Sequence, residues 1–246
     1  MIKTAIIQAR IGSARLPGKV MFPLDGRPVL EHVITRVCES NVTNVVVATS
    51  TLPRDDVIEQ YAPEFGADVI RGSESDVLSR FERTVERYDP DIVVRVTADC
   101  PLVSPSFINA SVQRIKDSGT EYVSAGLERT FPRGVTCEAF TAQSFKQMCD
   151  RANEPRHQEH VTPYYREHPD EFDLYNIESS ELYDEKQFQN RTDLRLTLDE
   201  PADYQLLETV YRTINYQGIL EVRDAINYID RKELKFINLH VKQISV

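Results

Sequence analysis

The segment from Gln8 to Lys19 concentrates residue types that can bind phosphate. Besides Gln8 and Ala9 it contains three cations, one serine hydroxyl and two glycines, namely Arg10, Arg15, Lys19, Ser13, Gly12 and Gly18. A triphosphate site needs cations that neutralise charge, backbone N–H groups that hold oxygens, and glycines that allow close approach. The segment matches neither the Walker A nor the GxGxxG pattern. It therefore predicts a phosphate-binding loop of another kind, the alternative being a solvated loop with ordinary surface cations.

Two aspartates, Asp99 and Asp199, each follow an apolar run that resembles a strand. Mg²⁺ in proteins is commonly bound by one or two carboxylates together with phosphate oxygens and water. Because the carboxyl ends of parallel strands meet at one edge of a sheet, the two side chains are candidates for a shared magnesium site. Each has a structural alternative: Asp199 as the cap of a helix beginning at Pro201, and Asp99 as a turn residue.

Short apolar runs alternate with stretches of helical periodicity, and this pattern positions the candidate residues. The predicted strands of the first half are Ile6–Ile7, Val45–Ala48, Asp68–Ile70 and Ile92–Val96. The predicted helices between them are Pro28–Cys38, Asp55–Phe65 and Ser75–Tyr88. Such alternation predicts βαβ units, hence an α/β fold with a mostly parallel central sheet and helices on both faces.

The second half continues the pattern less regularly. Predicted strands are Glu121–Ala125, Val135–Phe140, Phe172–Ile177 and Leu194–Leu198, and predicted helices are Ser104–Lys116, Thr141–Cys149 and Pro201–Asn215. No linker or repeat divides the chain, so residues 1–246 are predicted to form a single domain. The polar stretch 151–190 is interpreted as a small excursion from it.

Composition excludes several classes of protein. The 246 residues carry a formal net charge of −10, which argues against nucleic acid as the main partner. Four widely spaced cysteines argue against a zinc knuckle or a disulfide framework. No apolar run approaches the roughly 20 residues needed to span a bilayer, and the N-terminus lacks the pattern of a signal peptide. We therefore expect no membrane partner and a cytoplasmic location.

The run IIQARIGSARLPGKVMFPLDGRPVLEHVI resembles the N-terminal signature of the cytidylyltransferase family that includes CMP-KDO and CMP-sialic acid synthetases. The likeness is greatest to the branch named for spore coat polysaccharide biosynthesis protein F. It continues through VVVATS, VIRGSESDVLSRF, VRVTADCPLV, FPRG, EHVTPYY and LTLDEPADY. This resemblance implies a Rossmann-like nucleotide-diphospho-sugar transferase fold. It also implies attack of an acceptor hydroxyl on the α-phosphorus of CTP, with Mg²⁺ as cofactor and pyrophosphate as leaving group.

The resemblance also implies roles for individual residues. The backbone of Gln8 and Ala9 would read the base, and Gly12 would belong to the loop whose side chains hold the phosphates. A second nucleotide loop would comprise Arg71, Gly72 and Ser73. The metal ligands would be Asp99 and Asp199. The expected catalytic set is Arg10, Arg15, Lys19, Asp99 and Asp199.

The acceptor side is less well defined by the sequence. Candidate acceptor-binding residues are Arg133, Glu138, Glu159 and His160. Arg133 is suited to pair bidentately with a carboxylate or phosphate. Family members tend to carry aspartate at the position of Thr136 and arginine at that of Gln158, so these two departures leave the acceptor open.

Three interpretations of function follow. The first is a CTP-dependent enzyme that activates a sugar or sugar-like acid, for example for surface polysaccharide synthesis. The second keeps the fold but uses GTP or UTP with a sugar phosphate, and the third is a nucleotide-binding module without catalysis. A homodimer is compatible with the resemblance, with 151–190 as the candidate contact.

Overall fold

A computed structural model describes residues 1–242 of the chain, so residues 243–246 of the predicted domain lie outside it. The strands are β1 (Lys3–Gln8), β2 (Pro23–Leu24), β3 (Arg27–Pro28), β4 (Asn44–Ser50), β5 (Asp68–Gly72), β6 (Ile92–Thr97), β7 (Tyr122–Ser124), β8 (Glu138–Thr141) and β9 (Leu174–Asn176). The α-helices are α1 (Val29–Cys38), α2 (Asp56–Tyr61), α3 (Val77–Tyr88), α4 (Pro105–Ser118), α5 (Ala142–Cys149), α6 (Pro155–His160), α7 (Pro163–Glu167), α8 (Ser179–Leu182), α9 (Pro201–Thr213) and α10 (Val222–Arg231). Short 3₁₀ turns cover Lys19–Met21, Pro53–Asp55, Ala62–Phe65, Lys186–Phe188 and Leu234–Ile237.

The central sheet has seven strands in the order β5-β4-β1-β6-β8-β7-β9. Strands β5, β4, β1 and β6 are mutually parallel, and β7 pairs parallel with β9. Strand β8 runs antiparallel between β6 and β7. The α/β prediction with a mostly parallel sheet is confirmed.

Helices cover both faces of the sheet, because adjacent residues of each strand point to opposite sides. In β1, Ala5 and Ile7 belong to one buried cluster, which receives α1, α4, α9 and α10. Ile6 belongs to a second cluster on the other face, which receives α3, α5 and α7. The carboxyl ends of the parallel strands lie at the edge between these two layers, and there the loops can meet.

The boundaries of α4 follow from its sequence. Ser104 caps the helix by accepting a hydrogen bond from the backbone N–H of Phe107, and Pro105 occupies the first helical position. Gly119 ends the helix in the left-handed conformation, with φ of 74°. The helix covers the predicted segment and extends two residues beyond Lys116.

Several predicted elements differ from the structure. Leu194–Leu198 is not a strand but an extended segment, attached by an isolated bridge between Arg133 and Arg195. The predicted strand Val135–Phe140 begins only at Glu138. The predicted helix Asp55–Phe65 contains only the short α2, which is flanked by 3₁₀ turns.

The polar stretch 151–190 contributes to the main sheet and to both core clusters. Strand β9 lies at the sheet edge beside β7. Tyr165 of α7 is fully buried, and its ring stacks on Tyr122 with centroids 4.6 Å apart. Within residues 1–242, no helix is long and apolar enough to cross a membrane.

Candidate active site

The segment after β1 forms a closed loop that ends at Lys19. The backbone N–H of Gly18 donates to the carbonyl of Ile11 at 2.9 Å, and the N–H of Ile11 donates to Asp55 Oδ1 at 2.7 Å. Gly18 has φ of 77°, a conformation that side chains other than glycine rarely adopt. The 3₁₀ turn that follows directs Lys19 inward, where only 8% of the residue is exposed.

The ammonium group of Lys19 bridges the two predicted metal ligands. Its Nζ lies 2.6 Å from Asp99 Oδ2 and 2.9 Å from Asp199 Oδ1. Burial favours the neutral amine, but the two carboxylates outweigh it and raise the pKa of Lys19. Burial likewise opposes the charge of Asp99, yet Lys19 lowers the pKa of Asp99 below its ordinary value. Lys19 and Asp99 therefore form a charged pair at neutral pH.

Asp199 forms ion pairs with two further cations. Arg15 Nη2 lies 2.9 Å from Asp199 Oδ1, and Arg195 Nη2 lies 2.5 Å from Oδ2. Arg195 is anchored in turn by Asp203 at 3.0 Å. The N-cap of α9 is Glu200, in a capping box with Asp203, so the capping alternative for Asp199 is wrong. Asp199 is thus held in the site and not used to begin the helix.

An open cavity of about 630 Å³ lies at this edge of the sheet and extends across both faces. The structure brings most of the predicted residues to its walls: Gln8, Ala9, Arg10, Ser13, Arg15, Lys19, Asp99, Arg133, Glu159, His160 and Asp199. The predicted residues that do not line it are Gly12, Arg71, Gly72, Ser73 and Glu138. Among the candidate acceptor residues, Arg133 lies near Asp199 and Arg195, whereas Glu159 lies beside Arg10.

Arg71 is bound to neighbouring groups outside the cavity. Its guanidinium forms ion pairs with Asp56 and Glu59 and donates to the carbonyls of Ser50 and Leu52. The role of Arg71, Gly72 and Ser73 as a second nucleotide loop stays a prediction.

The candidate acceptor residues have distinct surroundings. Arg10 pairs with Glu159 at 3.5 Å. Burial lowers the pKa of His160, and the charges of Arg95 and Arg10 add to this against the opposing effect of Glu159. Burial also lowers the pKa of Arg133, which lies at the wall beside Gly134.

Sequence reasoning missed two cations of the cavity wall, Arg80 and Arg95. Arg80 of α3 is 1% exposed, and its Nη1 donates to the carbonyl of Ala48 at 3.0 Å. Burial and the nearby charge of Arg10 lower the pKa of Arg80 to about 10. For Arg95 the available signal was a cation inside the apolar strand β6, which is rare unless the charge has a partner or a function.

The arrangement of Asp99 and Asp199 fits a divalent cation that arrives with phosphate. Both carboxylates already contact one cation, the ammonium of Lys19. In the described part of the chain, no three His, Cys, Asp or Glu side chains converge as a metal site. A Mg²⁺ ion held by these two aspartates would therefore complete its coordination with phosphate oxygens and water.

Comparison with known proteins adds an independent line of support. Residues 4–233 match the sequence model of a protein family described as cytidylyltransferase. The spore coat polysaccharide biosynthesis protein SpsF of Bacillus subtilis is 33% identical over 232 residues, covering 92% of this chain and 93% of SpsF. A 3-deoxy-manno-octulosonate cytidylyltransferase of Chromohalobacter salexigens is 38% identical over 120 residues, covering 47% of this chain and 45% of that enzyme.

Solved structures agree with these matches. A cytidylyltransferase from Leptospira borgpetersenii aligns over the whole of both chains with a TM-score of 0.87 and 29% identity. A CMP:2-keto-3-deoxy-manno-octonic acid synthetase complexed with CTP aligns over 86% of this chain and 99% of its own, with a TM-score of 0.61 and 20% identity. The second likeness supports the fold alone.

Proposed function

The chain belongs to the cytidylyltransferase family of nucleotidyltransferases, and on that premise we propose that it transfers CMP from CTP to a hydroxyl of an acidic sugar. Pyrophosphate is the leaving group. The observation that carries this proposal is the cluster in which Lys19 bridges Asp99 and Asp199 at the end of the loop after β1. It combines the cation for a polyphosphate with the two carboxylates for a divalent ion.

In this proposal the charged side chains act by positioning and by stabilising charge, which dominate phosphoryl transfer. Lys19 and Arg15 leave the carboxylates and bind oxygens of the pyrophosphate moiety as negative charge develops there. Arg195 stays on Asp199 and keeps that carboxylate oriented. Mg²⁺, when bound by Asp99 and Asp199, supplies neutralisation of the α-phosphate charge.

The remaining parts of the proposal concern the acceptor and the setting. An acidic sugar is favoured by the cations on the acceptor side and by the activity named for the 3-deoxy-manno-octulosonate enzymes. The name of SpsF supports a role in surface polysaccharide synthesis. A cytoplasmic location, where CTP is available, and a homodimer with 151–190 at its contact belong to the same proposal.

Thermal unfolding with nucleotides tests the base and the metal together. The protein is heated with CTP, GTP, UTP, dTTP or ATP, each with and without Mg²⁺. A nucleotide at 100 times its Kd is expected to stabilise the fold by about 2.7 kcal/mol, and we expect this shift with CTP and Mg²⁺. A larger shift with GTP or UTP would reject the base assignment. Binding of CTP without pyrophosphate release for any acceptor would favour a non-catalytic module.

A further inference from the structure

A group of three side chains, Gln8, Arg95 and Glu138, lies beside the charged cluster and on the opposite face of the sheet from the main core. In the register of β1, β6 and β8, Arg95 stands opposite Ile6 and opposite Glu138, and Gln8 stands opposite Thr97. Directly opposite residues and those two positions along share a face. Arg95 is therefore placed between Gln8 on one side and Glu138 on the other.

The hydrogen bonds of Arg95 leave donors available to the cavity. Its Nε donates to Gln8 Oε1 at 3.0 Å, and its Nη1 donates to Glu138. Within residues 1–242, neither Arg95 Nη2 nor the amide nitrogen of Gln8 has a hydrogen-bond partner. Because a guanidinium has no acceptor, Gln8 must turn its oxygen toward Arg95 and keep its NH₂ group for other partners. Both residues line the cavity, so they present it with donors.

Glu138 fixes the position of the Arg95 guanidinium. It accepts hydrogen bonds from the Tyr122 hydroxyl and from the Thr162 hydroxyl, whose oxygen is 2.9 Å from each carboxylate oxygen. Burial opposes its charge, but Arg95 above all lowers the pKa of Glu138, which is therefore ionised at neutral pH. A buried ion pair with further hydrogen bonds fixes the guanidinium geometry.

The charges around this part of the cavity favour an anion. Arg10, Arg80 and Arg95 line it, whereas Glu159 is paired with Arg10 and the largely buried Glu138 with Arg95. Asp55, Asp76 and Glu74 lie near Arg80 but do not line the cavity. Arg80 has no ion pair with any carboxylate of the described residues, and its buried Nε has no hydrogen-bond partner among them. The planar edge of an arginine matches a carboxylate, with two parallel hydrogen bonds.

We propose that Arg95 is a specificity-determining residue that binds the acid group of the acceptor, with the amide NH₂ of Gln8 as a second donor and Glu138 as a positioning residue. The inference rests on the proposed function, because it requires an acceptor that carries an acid group. It assigns the phosphates to Lys19 and Arg15 and the acceptor's anion to Arg95, so the two charged groups occupy separate parts of one cavity.

The test separates acceptor binding from nucleotide binding. We compare the wild-type protein with Arg95→Met, Arg95→Lys and the double variant Arg95→Met/Glu138→Gln. The double variant leaves no buried carboxylate without its ion-pair partner. Calorimetry gives the Kd of CTP with Mg²⁺. Pyrophosphate release gives KM and kcat for 3-deoxy-manno-octulosonate and N-acetylneuraminate, and neutral sugars are assayed beside them. Arg212→Met, at an exposed position of α9, is the matched control.

We expect Arg95→Met and the double variant to raise KM for the acid by about 10- to 100-fold, the usual effect of losing a hydrogen bond to a charged group. Arg95→Lys is expected to be intermediate, because a point charge replaces the two-pronged contact. The Kd of CTP should stay within about twofold of wild type, and the control should match wild type in every value.

The outcomes distinguish the inference from the function on which it rests. Unchanged KM for an acid that wild type turns over would overturn the inference and leave the function standing. A loss of CTP affinity as large as the rise in KM would assign Arg95 to the nucleotide and overturn it as well. Turnover of neutral acceptors alone would reject the acid contact, and no pyrophosphate release from any acceptor would reject both proposals.

Discussion

Lys19 is the residue on which the charged cluster depends. The positive charge of its ammonium reduces the electrostatic repulsion between Asp99 and Asp199, and the charges of Arg15 and Arg195 reduce it further. Asp203 balances Arg195 in turn, so Lys19 and Arg15 are the cations of the cluster that a phosphate ligand can recruit. Incoming phosphates can bind Lys19 and Arg15 because both side chains line the cavity.

Removing either partner of the central ion pair should abolish most of the activity. Lys19→Ala deletes a donor to the leaving pyrophosphate, and Asp99→Asn deletes a charged ligand for the divalent ion. Each loss is expected to cost roughly 2.7–4 kcal/mol in the transition state, or a decrease in kcat of about 100-fold or more. Pyrophosphate release measures kcat, and circular dichroism checks that each variant is folded. Near-normal turnover in a folded variant would rule out the catalytic role of that residue.

At the scale of single residues, the sequence predicted those candidate site residues that lie together in one short motif. The loop with Arg10, Arg15 and Lys19 is a contiguous motif, and its three cations do reach the cavity. Arg95 was missed because it lies inside an apolar strand, and Arg80 because it lies among the charged residues of an amphipathic helix, where a cation is usually at the surface. Their place at the cavity depends on which strand lies beside which, and no short stretch of sequence contains that information.

At the scale of the elements, the position of Asp199 depends on the contact between two extended segments, one around Arg133 and one from Leu194 to Leu196. The Arg133 N–H donates to the carbonyl of Leu194, and the Leu196 N–H donates to the carbonyl of Arg133. The prediction of a strand at Leu194–Leu198 was wrong for a physical reason. Alternating or continuous apolar residues indicate an extended, buried segment, but a strand also needs hydrogen-bonded pairing over several residues. Here the paired segment turns at Gly134, so that only an isolated bridge forms.

Gly134 makes this contact possible, so Gly134→Ala should be strongly destabilising. A Cβ at this position would lie 2.6 Å from backbone atoms of Leu196 and Thr197, and φ is 94°. The clash and the left-handed conformation together should lower the free energy of unfolding by about 2–5 kcal/mol. Gly119→Ala is the matched control: it has φ of 74° but no atom within 4 Å, so only about 1–2 kcal/mol is expected. Urea unfolding measures both, and equal losses would show that the close approach at Gly134 contributes nothing.

For the molecule as a whole, both the strands and the parallel pairing of the first half of the sheet were predictable, whereas for the second half the strands were predicted but their order was not. Strands β1, β4 and β6 are largely buried and rich in β-branched residues, β5 is an edge strand, and helices separate the four, a pattern typical of βαβ units. The insertion of β8 between β6 and β7 brings together segments that are far apart in the chain. That insertion places Glu138 next to Arg95, and so the acceptor side of the cavity follows from the global topology and not from a local motif.

The stability of the whole fold should depend on pH through His32 of α1. This side chain is 3% exposed, packs on Tyr211 and hydrogen-bonds to the carbonyl of Leu24 at 2.8 Å. Burial above all lowers the pKa of His32 to about 4, so the folded protein keeps it neutral while the unfolded chain takes up a proton below about pH 6.5. Because the unfolded state then binds more protons, the free energy of unfolding must fall as the pH decreases through this range.

Between pH 7.5 and pH 5 this single group should cost the wild-type protein about 2 kcal/mol. His32→Gln keeps a donor for Leu24 but removes the titration, so the variant should lose about 2 kcal/mol less over the same interval, whatever its stability at pH 7.5. Urea unfolding at the two pH values gives the difference, with the exposed His240→Gln as the control expected to follow wild type. If wild type and His32→Gln lose the same amount, His32 is not held neutral in the core and α1 must pack differently against α9.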